Sequence, residues 1–411
     1  MKKIRLLSLI FCLSVTVVVA QEKRSISGKV TDSTTGDVLA SVNVFLSNTS
    51  IGTSSGADGS FRLQNIPEGK YDLIASSIGY KPYFLSVDLS NTGNGYTQEI
   101  KVNIVLEAEV KELNEITVRA DTTNWTRNYQ DFKRLFLGQT KWAKSCEIMN
   151  PKVLYLYYDT KDDVLVAHAK QPLVIIQKEL GYKINYYLYQ FEFEARTGKL
   201  MVYGVPHFEE LPLDKERLIK KRNRARKQAY QGSVVHFMRS FAQNKLNENG
   251  FQMRKVFVVK NKKRPPTEVI NQHLKRLNGG KKNIVIRFSE SPSDSLSYYL
   301  RLRQQPEEMD SIAPTLYTGQ EFWNSTTGLF EKIDGRYEII FNEQEEIEYL
   351  PLTGRKTTQK QNSHFTFLLP TLKIYRNGYY EDVRALFLTG YLSWHEKMAT
   401  FLPLEYEPAS D

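Results

Sequence analysis

The chain has 411 residues, of which 41% are hydrophobic and 25% are charged, and its formal net charge is +10. This length exceeds that of an ordinary single domain, and this composition excludes disorder over any large part of the chain. The 24 Tyr and 21 Phe, together with runs of Val, Ile and Thr, favour β structure. We therefore expect two folded domains in a β-rich protein.

The first twenty residues have the pattern of a secretory signal peptide. Three basic residues within the first five positions precede an uncharged apolar run over residues 6–20, which ends in Val-Val-Ala. The run is shorter than the ~20 residues of a transmembrane helix, which argues against a retained membrane anchor. We expect residues 1–20 to be cleaved, the mature protein to begin at Gln21, and its location to be the periplasm or the outer membrane.

Charge and cysteine content differ along the mature chain. Residues 21–120 contain nine basic and twelve acidic residues, so the basic character belongs to residues 121–411, whose net charge is +10. No later stretch has 18 consecutive apolar residues, and we predict no transmembrane helix after cleavage. Cys146 is the one cysteine left in the mature chain, and its alternation with Ile148 predicts a buried thiol.

Residues 21–106 have the pattern of a β-sandwich. Short alternating runs recur along this stretch and are separated by Gly, Asp, Asn and Pro, with Asp58-Gly59 as the strongest hairpin signal. Each run has apolar residues on one face, which requires a second sheet to cover it. The runs lie at residues 26–30, 42–46, 61–63, 71–75, 83–87 and 100–106.

Several motifs in this stretch resemble the carboxypeptidase-regulatory-like domain. They are Ser27-Gly28-Lys29-Val30-Thr31-Asp32, Ala40-Ser41-Val42-Asn43-Val44, Gly52-Thr53, Ala57-Asp58-Gly59-Ser60-Phe61 and Ile78-Gly79-Tyr80. The resemblance implies a transthyretin-like or immunoglobulin-like β-sandwich, as found before SusC-type TonB-dependent receptors and in related envelope proteins of Gram-negative bacteria. Such a module implies a spacer, docking or carbohydrate-contact role without a cofactor. The resemblance extends to residue 118 and implies nothing about the rest of the chain.

A linker and a second domain are predicted next. Residues 107–124 are rich in Glu, Asp, Asn and Thr, as linkers are, whereas residues 125–411 mix strands with helices and predict an α+β domain of unknown function. Aromatic residues at three- and four-residue steps predict a helix over residues 125–137, and a further helical segment is expected over 213–247. Strands are expected at 153–158, 164–168, 173–176, 182–193, 200–203, 251–259, 283–289, 296–303, 336–342 and 366–376, with strand, helix or both over 379–401.

His207 and Glu210 have the spacing of two zinc ligands in carboxypeptidases. A catalytic zinc site needs a third protein ligand, which the sequence does not supply, and the acidic, Pro-containing stretch around His207 is interpreted as a loop. We therefore expect no catalytic residue, no metal and no cofactor. The alternative hypothesis is an enzyme that processes envelope glycan or peptide, with His207 or His236 in its site.

Two other patterns are weaker still as catalytic signals. The run Gly52-Thr-Ser-Ser-Gly56 matches Gly-x-Ser-x-Gly, but a nucleophile elbow needs a strand before the motif and a helix after it. Here a hairpin turn follows inside the sandwich, which indicates a Gly/Ser loop. Glu346 and Glu348 alternate with apolar residues, which indicates a solvated strand or turn and gives no support to glycoside hydrolysis.

The densest charged feature is the segment from Lys215 to Lys227, with eight basic residues among thirteen. As a helix it has no wide apolar stripe, so most of it is expected to face solvent, either without a partner or as an anion-binding surface. The candidate anion-binding residues are Lys220, Lys221, Arg222, Arg224, Arg226 and Lys227. Export argues against nucleic acid and leaves anionic lipid, a glycan or an acidic protein as the partner, with peripheral membrane association as one consequence.

Residues 182–193 carry aromatic side chains on both faces of a predicted strand. Three interpretations remain open: a half-buried central strand, a stacking platform for sugar rings, or a lipid-facing strand of a small outer-membrane barrel, which the basic helix would interrupt. The leading hypothesis is a non-enzymatic cell-envelope protein with a binding or assembly role, in which the β-sandwich presents a basic, aromatic-rich domain.

Overall fold

The computed structural model describes residues 24–90, 99–109, 120–121, 124–159, 161–277 and 295–408. The predicted signal peptide, the predicted strand at 283–289 and most of the predicted linker lie outside these residues. Backbone contacts divide the chain into two compact units. The first unit comprises Met1–Leu46 and Ile51–Lys111, and the second comprises Ser47–Ser50 and Glu112–Asp411.

The first unit is a β-sandwich of two four-stranded sheets. Its strands are β1 (Arg24–Asp32), β2 (Asn43–Leu46), β3 (Gly52–Ser54), β4 (Ser60–Ile66), β5 (Lys70–Ser76), β6 (Tyr83–Asp88), β7 (Glu99–Lys101) and β8 (Ile104–Leu106). One sheet has the order β4-β1-β7, with β8 also paired to β1, and the other has the order β3-β2-β5-β6. Strand β1 is antiparallel to β4 and parallel to β7 and β8.

The alternating pattern of the sequence produces the core of this sandwich. In β4, Phe61 and Leu63 are buried while the residues between them are exposed, as expected when one face of a strand is covered. Gly28 in β1 is required by close packing, because a Cβ atom there would lie 1.8 Å from the carbonyl oxygen of Val102. The sandwich predicted from the sequence is confirmed.

The second unit contains a seven-stranded sheet with a helix packed on one face. Its elements are β9 (Ala120–Asp121), α1 (Trp125–Leu137), β10 (Cys146–Ile148), β11 (Leu154–Asp159), β12 (Val164–Ala169), β13 (Leu173–Gln177), β14 (Tyr182–Glu194) and β15 (Lys199–Glu210). The order is β10-β13-β14-β12-β11-β9, with β15 also paired to β14. Helix α1 has the predicted bounds, and its Phe132 and Phe136 contact Phe191 and Tyr186 of β14.

Further helices and strands of the second unit follow β15 along the chain. The helices are α2 (Glu216–Tyr230), α3 (Val234–Ala242), α4 (Thr267–Leu277), α5 (Ser295–Gln304), α6 (Leu350–Thr353) and α7 (Tyr391–His395). The strands are β16 (Phe251–Lys260), β17 (Glu308–Ile312), β18 (Trp323–Asn324), β19 (Leu329–Glu331), β20 (Gly335–Glu345), β21 (Lys360–Phe367), β22 (Thr371–Ile374), β23 (Tyr380–Glu381) and β24 (Leu386–Gly390). A five-stranded sheet has the order β17-β16-β20-β21-β24 and packs on α3, and strands β18, β19, β22 and β23 form a small sheet of their own.

Two predictions that concern the helices of the second unit were wrong in detail. Residues 296–303 form α5 rather than a strand, because Leu296, Tyr299 and Leu302 follow a three-residue step and pack on α4. The helical segment expected over 213–247 is two helices, α2 and α3, separated at Gly232, whose φ of 79° suits glycine.

The β-rich fold class is confirmed, with a β-sandwich followed by a unit that mixes sheets and helices. In the part of the chain that the structure describes, no helix combines the length and the apolar character needed to cross a bilayer.

Candidate anion-binding site

One side of α2 carries a group of cations. Because an α-helix turns about 100° per residue, residues 217, 220, 221, 224 and 227 fall on the same side. Arg217, Lys220, Lys221 and Arg224 are exposed, and Lys227 is partly exposed. We call the four exposed side chains the basic face of α2.

The basic face is only partly neutralised by neighbouring carboxylates. Lys220 Nζ lies 2.7 Å from Glu216 Oε1, and Lys221 Nζ lies 3.4 Å from Glu179 Oε2. Exposed pairs of this kind contribute about 0–1 kcal/mol, so a stronger anion can displace them. Among the described residues, neither Arg217 nor Arg224 forms an ion pair.

Arg226 lies on the opposite side of α2 and is part of the internal packing. Its side chain is 8% exposed, and its Nε donates to the carbonyl oxygen of Leu180 at 2.7 Å. Its Nη1 lies 2.6 Å from Glu210 Oε1, and its guanidinium carbon lies 4.1 Å from the centre of the Tyr182 ring. Arg226 therefore holds α2 against β14 and β15 and does not present its charge to solvent.

Arg222, one turn before Arg226, has a similar internal role. Its Nη1 donates to the carbonyl oxygen of Leu211 at 2.7 Å, and burial, together with the neighbouring Arg226, lowers the pKa of its guanidinium. The candidate residues of the segment thus divide between two faces. Arg222, Arg226 and Ala229 follow steps of four and three residues, which place them on one side of a helix. This spacing is the signal in the sequence that distinguishes the inner face.

Two exposed aliphatic side chains lie in the first turn of α2, outside the basic face. Leu218 and Ile219 are 42% and 39% exposed, whereas the buried residues of α2 all lie at its C-terminal end. At 100° per residue, Leu218 falls at the edge of the basic face, whereas Ile219 falls on the same side of the helix as Arg226. In the sequence, these two residues are too few to form a wide apolar stripe on the helix.

The interpretation of the His207 region as a loop was wrong. His207 and Glu210 both lie in β15, where His207 is opposite Asn185 of β14. Residues three positions apart in a strand point to opposite faces, so these two side chains cannot share a metal ion. Burial lowers the pKa of His207, and Glu210 pairs instead with Arg226.

His236 is a packing residue of α3. Its Nδ1 accepts a hydrogen bond from the backbone N–H of Gly232 at 3.1 Å, and its ring lies 4.8 Å from that of Tyr230 and 4.9 Å from that of Phe251, centre to centre. Burial lowers the pKa of His236 to about 4, so its imidazole is neutral at physiological pH. Within the described ranges, no group of three or more His, Cys, Asp or Glu side chains is arranged to hold a metal ion.

The carboxylates at 346 and 348 differ from each other. Glu346 is 1% exposed and pairs with Arg355, so the prediction of a solvated side chain was wrong for this residue. Glu348 is exposed and accepts a hydrogen bond from the backbone N–H of Lys141 at 2.8 Å.

Cys146 is buried as predicted, and burial raises the pKa of its thiol to about 12.

Several solved structures match part of this chain at low sequence identity. They include 3-chlorocatechol 1,2-dioxygenase from Rhodococcus opacus 1CP, which is 12% identical with a TM-score of 0.17 and matches over 22% of this chain and 61% of that enzyme. The pilus 2b backbone protein of group B streptococcus is 18% identical with a TM-score of 0.18, over 21% of this chain and 41% of that protein. A protein of unknown function from Bacteroides fragilis NCTC 9343 is 16% identical with a TM-score of 0.18, over 46% of this chain and 83% of that protein.

Likenesses this weak assign no activity to the chain, and no curated protein matches it. The match to a protein family is confined to the N-terminal part. Residues 26–118 match the family described as CarboxypepD_reg-like domain, in agreement with the motifs of the sequence and with the two-sheet sandwich. The N-terminal part of this protein is therefore a CarboxypepD_reg-like domain.

Proposed function

We propose that this protein is exported to the cell envelope and acts there as a non-enzymatic binding or assembly protein, which docks on an anionic lipid surface through α2. The observation that carries the proposal is the basic face of α2, which places four exposed cations on one side of the helix with exposed Leu218 at its edge. The signal-peptide pattern of residues 1–20 and the CarboxypepD_reg-like domain support an envelope location.

Lipid fits this surface better than an acidic protein or a soluble anion does. Each Lys or Arg near an anionic membrane contributes about 1 kcal/mol of attraction, and exposed aliphatic side chains gain further free energy by entering the interface. Leu218, at the edge of the basic face, can enter the interface in this way, whereas a purely electrostatic partner would leave it in water. The combination is typical of peripheral attachment rather than of a membrane-spanning segment.

The proposal is tested by vesicle flotation of the mature protein. We expect it to float with vesicles that contain phosphatidylglycerol and to remain behind with pure phosphatidylcholine, and we expect binding to weaken as salt rises. The variant Arg217→Glu/Lys220→Glu/Arg224→Glu should lose flotation. The matched control Lys275→Glu/Arg276→Glu/Arg301→Glu changes three exposed cations of α4 and α5 and should float like the wild type.

Export is tested separately by fractionation and N-terminal sequencing of the native protein. A first residue at Gln21 in an envelope fraction supports the proposal, whereas an intact Met1 in the cytosol contradicts it. Flotation that is equal for the α2 variant and the wild type, or absent for both, removes the lipid contact. Stoichiometric metal that is lost in His207→Ala would instead favour the enzyme hypothesis.

A further inference from the structure

The two faces of the seven-stranded sheet in the second unit carry different residues. One face packs on α1 and belongs to the core, with Leu156, Leu165 and Phe191 fully or almost fully buried. The other face carries a set of ring side chains together with two hydrogen-bonding side chains. We call this set the aromatic patch: Tyr155, Tyr157, His168, Gln190, Glu192 and Tyr203.

Strand register brings the patch together from β11, β12, β14 and β15. The directly opposed pairs are Tyr155 with His168, Tyr157 with Val166, Val166 with Glu192, and Gln190 with Tyr203. Neighbouring strands are about 4.8 Å apart, so four strands extend over about 15 Å. The patch is therefore an extended surface, and its members come from positions as distant in sequence as Tyr155 and Tyr203.

The rings of the patch keep much of their surface in water. Tyr155 and Tyr203 are each 47% exposed, and both lie within strands rather than at a chain end. The rings of Tyr157 and His168 are stacked with their centres 6.3 Å apart, and the ring of Tyr203 lies 5.8 Å from that of Tyr189. These contacts hold the rings in place without covering them.

Hydrogen-bonding groups lie between the rings. Gln190 Nε2 donates to Glu192 Oε1 at 3.0 Å, and this pair on β14 separates Tyr203 on one side from the β11 and β12 rings on the other. Lys170 Nζ lies 4.5 Å from the centre of the Tyr155 ring. The patch thus alternates electron-rich ring faces with amide, carboxylate and ammonium groups.

We propose that the aromatic patch binds a neutral oligosaccharide of pyranose rings, a function beyond the lipid contact of α2. The C–H faces of such rings pack on the negative faces of aromatic side chains, and the sugar hydroxyl groups replace water at Gln190, Glu192 and His168. A lipid tail would leave these polar groups without hydrogen bonds. The carboxylate of Glu192 and the ammonium of Lys170 offset each other, so the patch has no net charge that would attract an anionic polymer.

The test is isothermal titration calorimetry of the full mature protein with four neutral hexasaccharides: cellohexaose, laminarihexaose, maltohexaose and chitohexaose. We expect at least one of them to bind. Tyr155→Ala and Tyr203→Ala should each weaken that binding about ten-fold, because each variant loses one ring contact and the area buried in it. Tyr203→Phe keeps the ring and should bind nearly as well as the wild type. The control Tyr298→Ala removes an equally exposed tyrosine on α5 and should leave binding unchanged.

Two results overturn the proposal: no hexasaccharide binds, or binding is the same in the wild type, Tyr155→Ala and Tyr203→Ala. Circular dichroism of each variant shows whether a loss of binding is due to loss of the fold. Tyr203→Phe provides a second check, because it keeps the ring and should bind even if Tyr203→Ala fails to fold. The patch shares no residue with α2, so its failure leaves the vesicle experiment unaffected, and the reverse also holds.

Discussion

The guanidinium of Arg226 stacks on the ring of Tyr182, and at the same time its Nε bonds to the backbone of Leu180 and its Nη1 pairs with Glu210. A buried arginine with this many partners cannot be removed without leaving a backbone carbonyl unsatisfied. These contacts of Arg226, and not only the burial of apolar side chains, attach α2 to the seven-stranded sheet.

We expect Arg226→Met to lower the free energy of unfolding by about 2–3 kcal/mol, since it removes the hydrogen bonds of a buried guanidinium to the backbone carbonyls of Leu180 and Gly181 and leaves these carbonyls unpaired. The measurement is urea unfolding followed by tryptophan fluorescence, which reports the second unit because all four Trp residues lie there. Arg224→Met, on the basic face, should stay within about 0.5 kcal/mol of the wild type. Equal effects of the two changes would contradict the assignment of Arg226 to the internal face.

Burial of His236 predicts that the second unit loses stability in mild acid. Its pKa falls from 6.5 to about 4 on folding, so between these values the unfolded chain binds a proton that the folded chain does not. The contribution of this histidine is complete above pH 6.5 and is lost progressively towards pH 4, by up to about 3 kcal/mol at 1.36 kcal/mol per unit.

The variant His236→Gln isolates this effect. It should show a smaller loss of unfolding free energy between pH 7 and pH 4.5 than the wild type, as measured by urea unfolding with tryptophan fluorescence. The same pH dependence in both proteins would mean that other groups cause the acid sensitivity.

The C-terminal residues are held by a buried arginine of α3. Arg239 donates from Nη2 to the carbonyl oxygen of Leu404 at 2.5 Å, from Nη1 to that of Tyr406 at 2.9 Å, and from Nε to that of Asn377 at 3.0 Å. We expect Arg239→Met to release these C-terminal residues, because local opening becomes easier. Carboxypeptidase should then remove them at least about ten-fold faster than from the wild type, as followed by mass spectrometry. Arg384→Met, which loses only a surface pair with Asp382, should digest like the wild type.

Cys146 should be chemically inert in the folded protein. Its thiol is buried and its pKa is raised to about 12, so almost no thiolate is available to react. In protein prepared without residues 1–20 at pH 8, we expect iodoacetamide to alkylate Cys146 only after urea is added, as followed by mass spectrometry. Met149→Cys provides an exposed thiol three residues away, which should be alkylated without urea. Native labelling of Cys146 at the rate of this control would contradict its burial.

Local periodicity was sufficient for much of the fold. Alternation with Gly and Asp at the turns predicted the sandwich, and the spacing of Trp125, Tyr129, Phe132 and Phe136 predicted the bounds of α1. These patterns are readable because a strand or helix with one covered face repeats its apolar residues at its own period. At residues 296–303 the apolar residues fit both the two-residue period of a strand and the three- to four-residue period of a helix. Only the packing of Leu302 on α4 decides between these two structures.

The candidate sites depended much more on tertiary structure. The sequence by itself determined that α2 is a basic helix, but the position of Leu180, Tyr182 and Glu210 decided that Arg226 points inward. Strand geometry in β15 placed His207 and Glu210 on opposite faces, and register across four strands assembled the aromatic patch. The physical reason is that periodicity is set by residues close in sequence, whereas the face that is covered is set by partners far away in the chain.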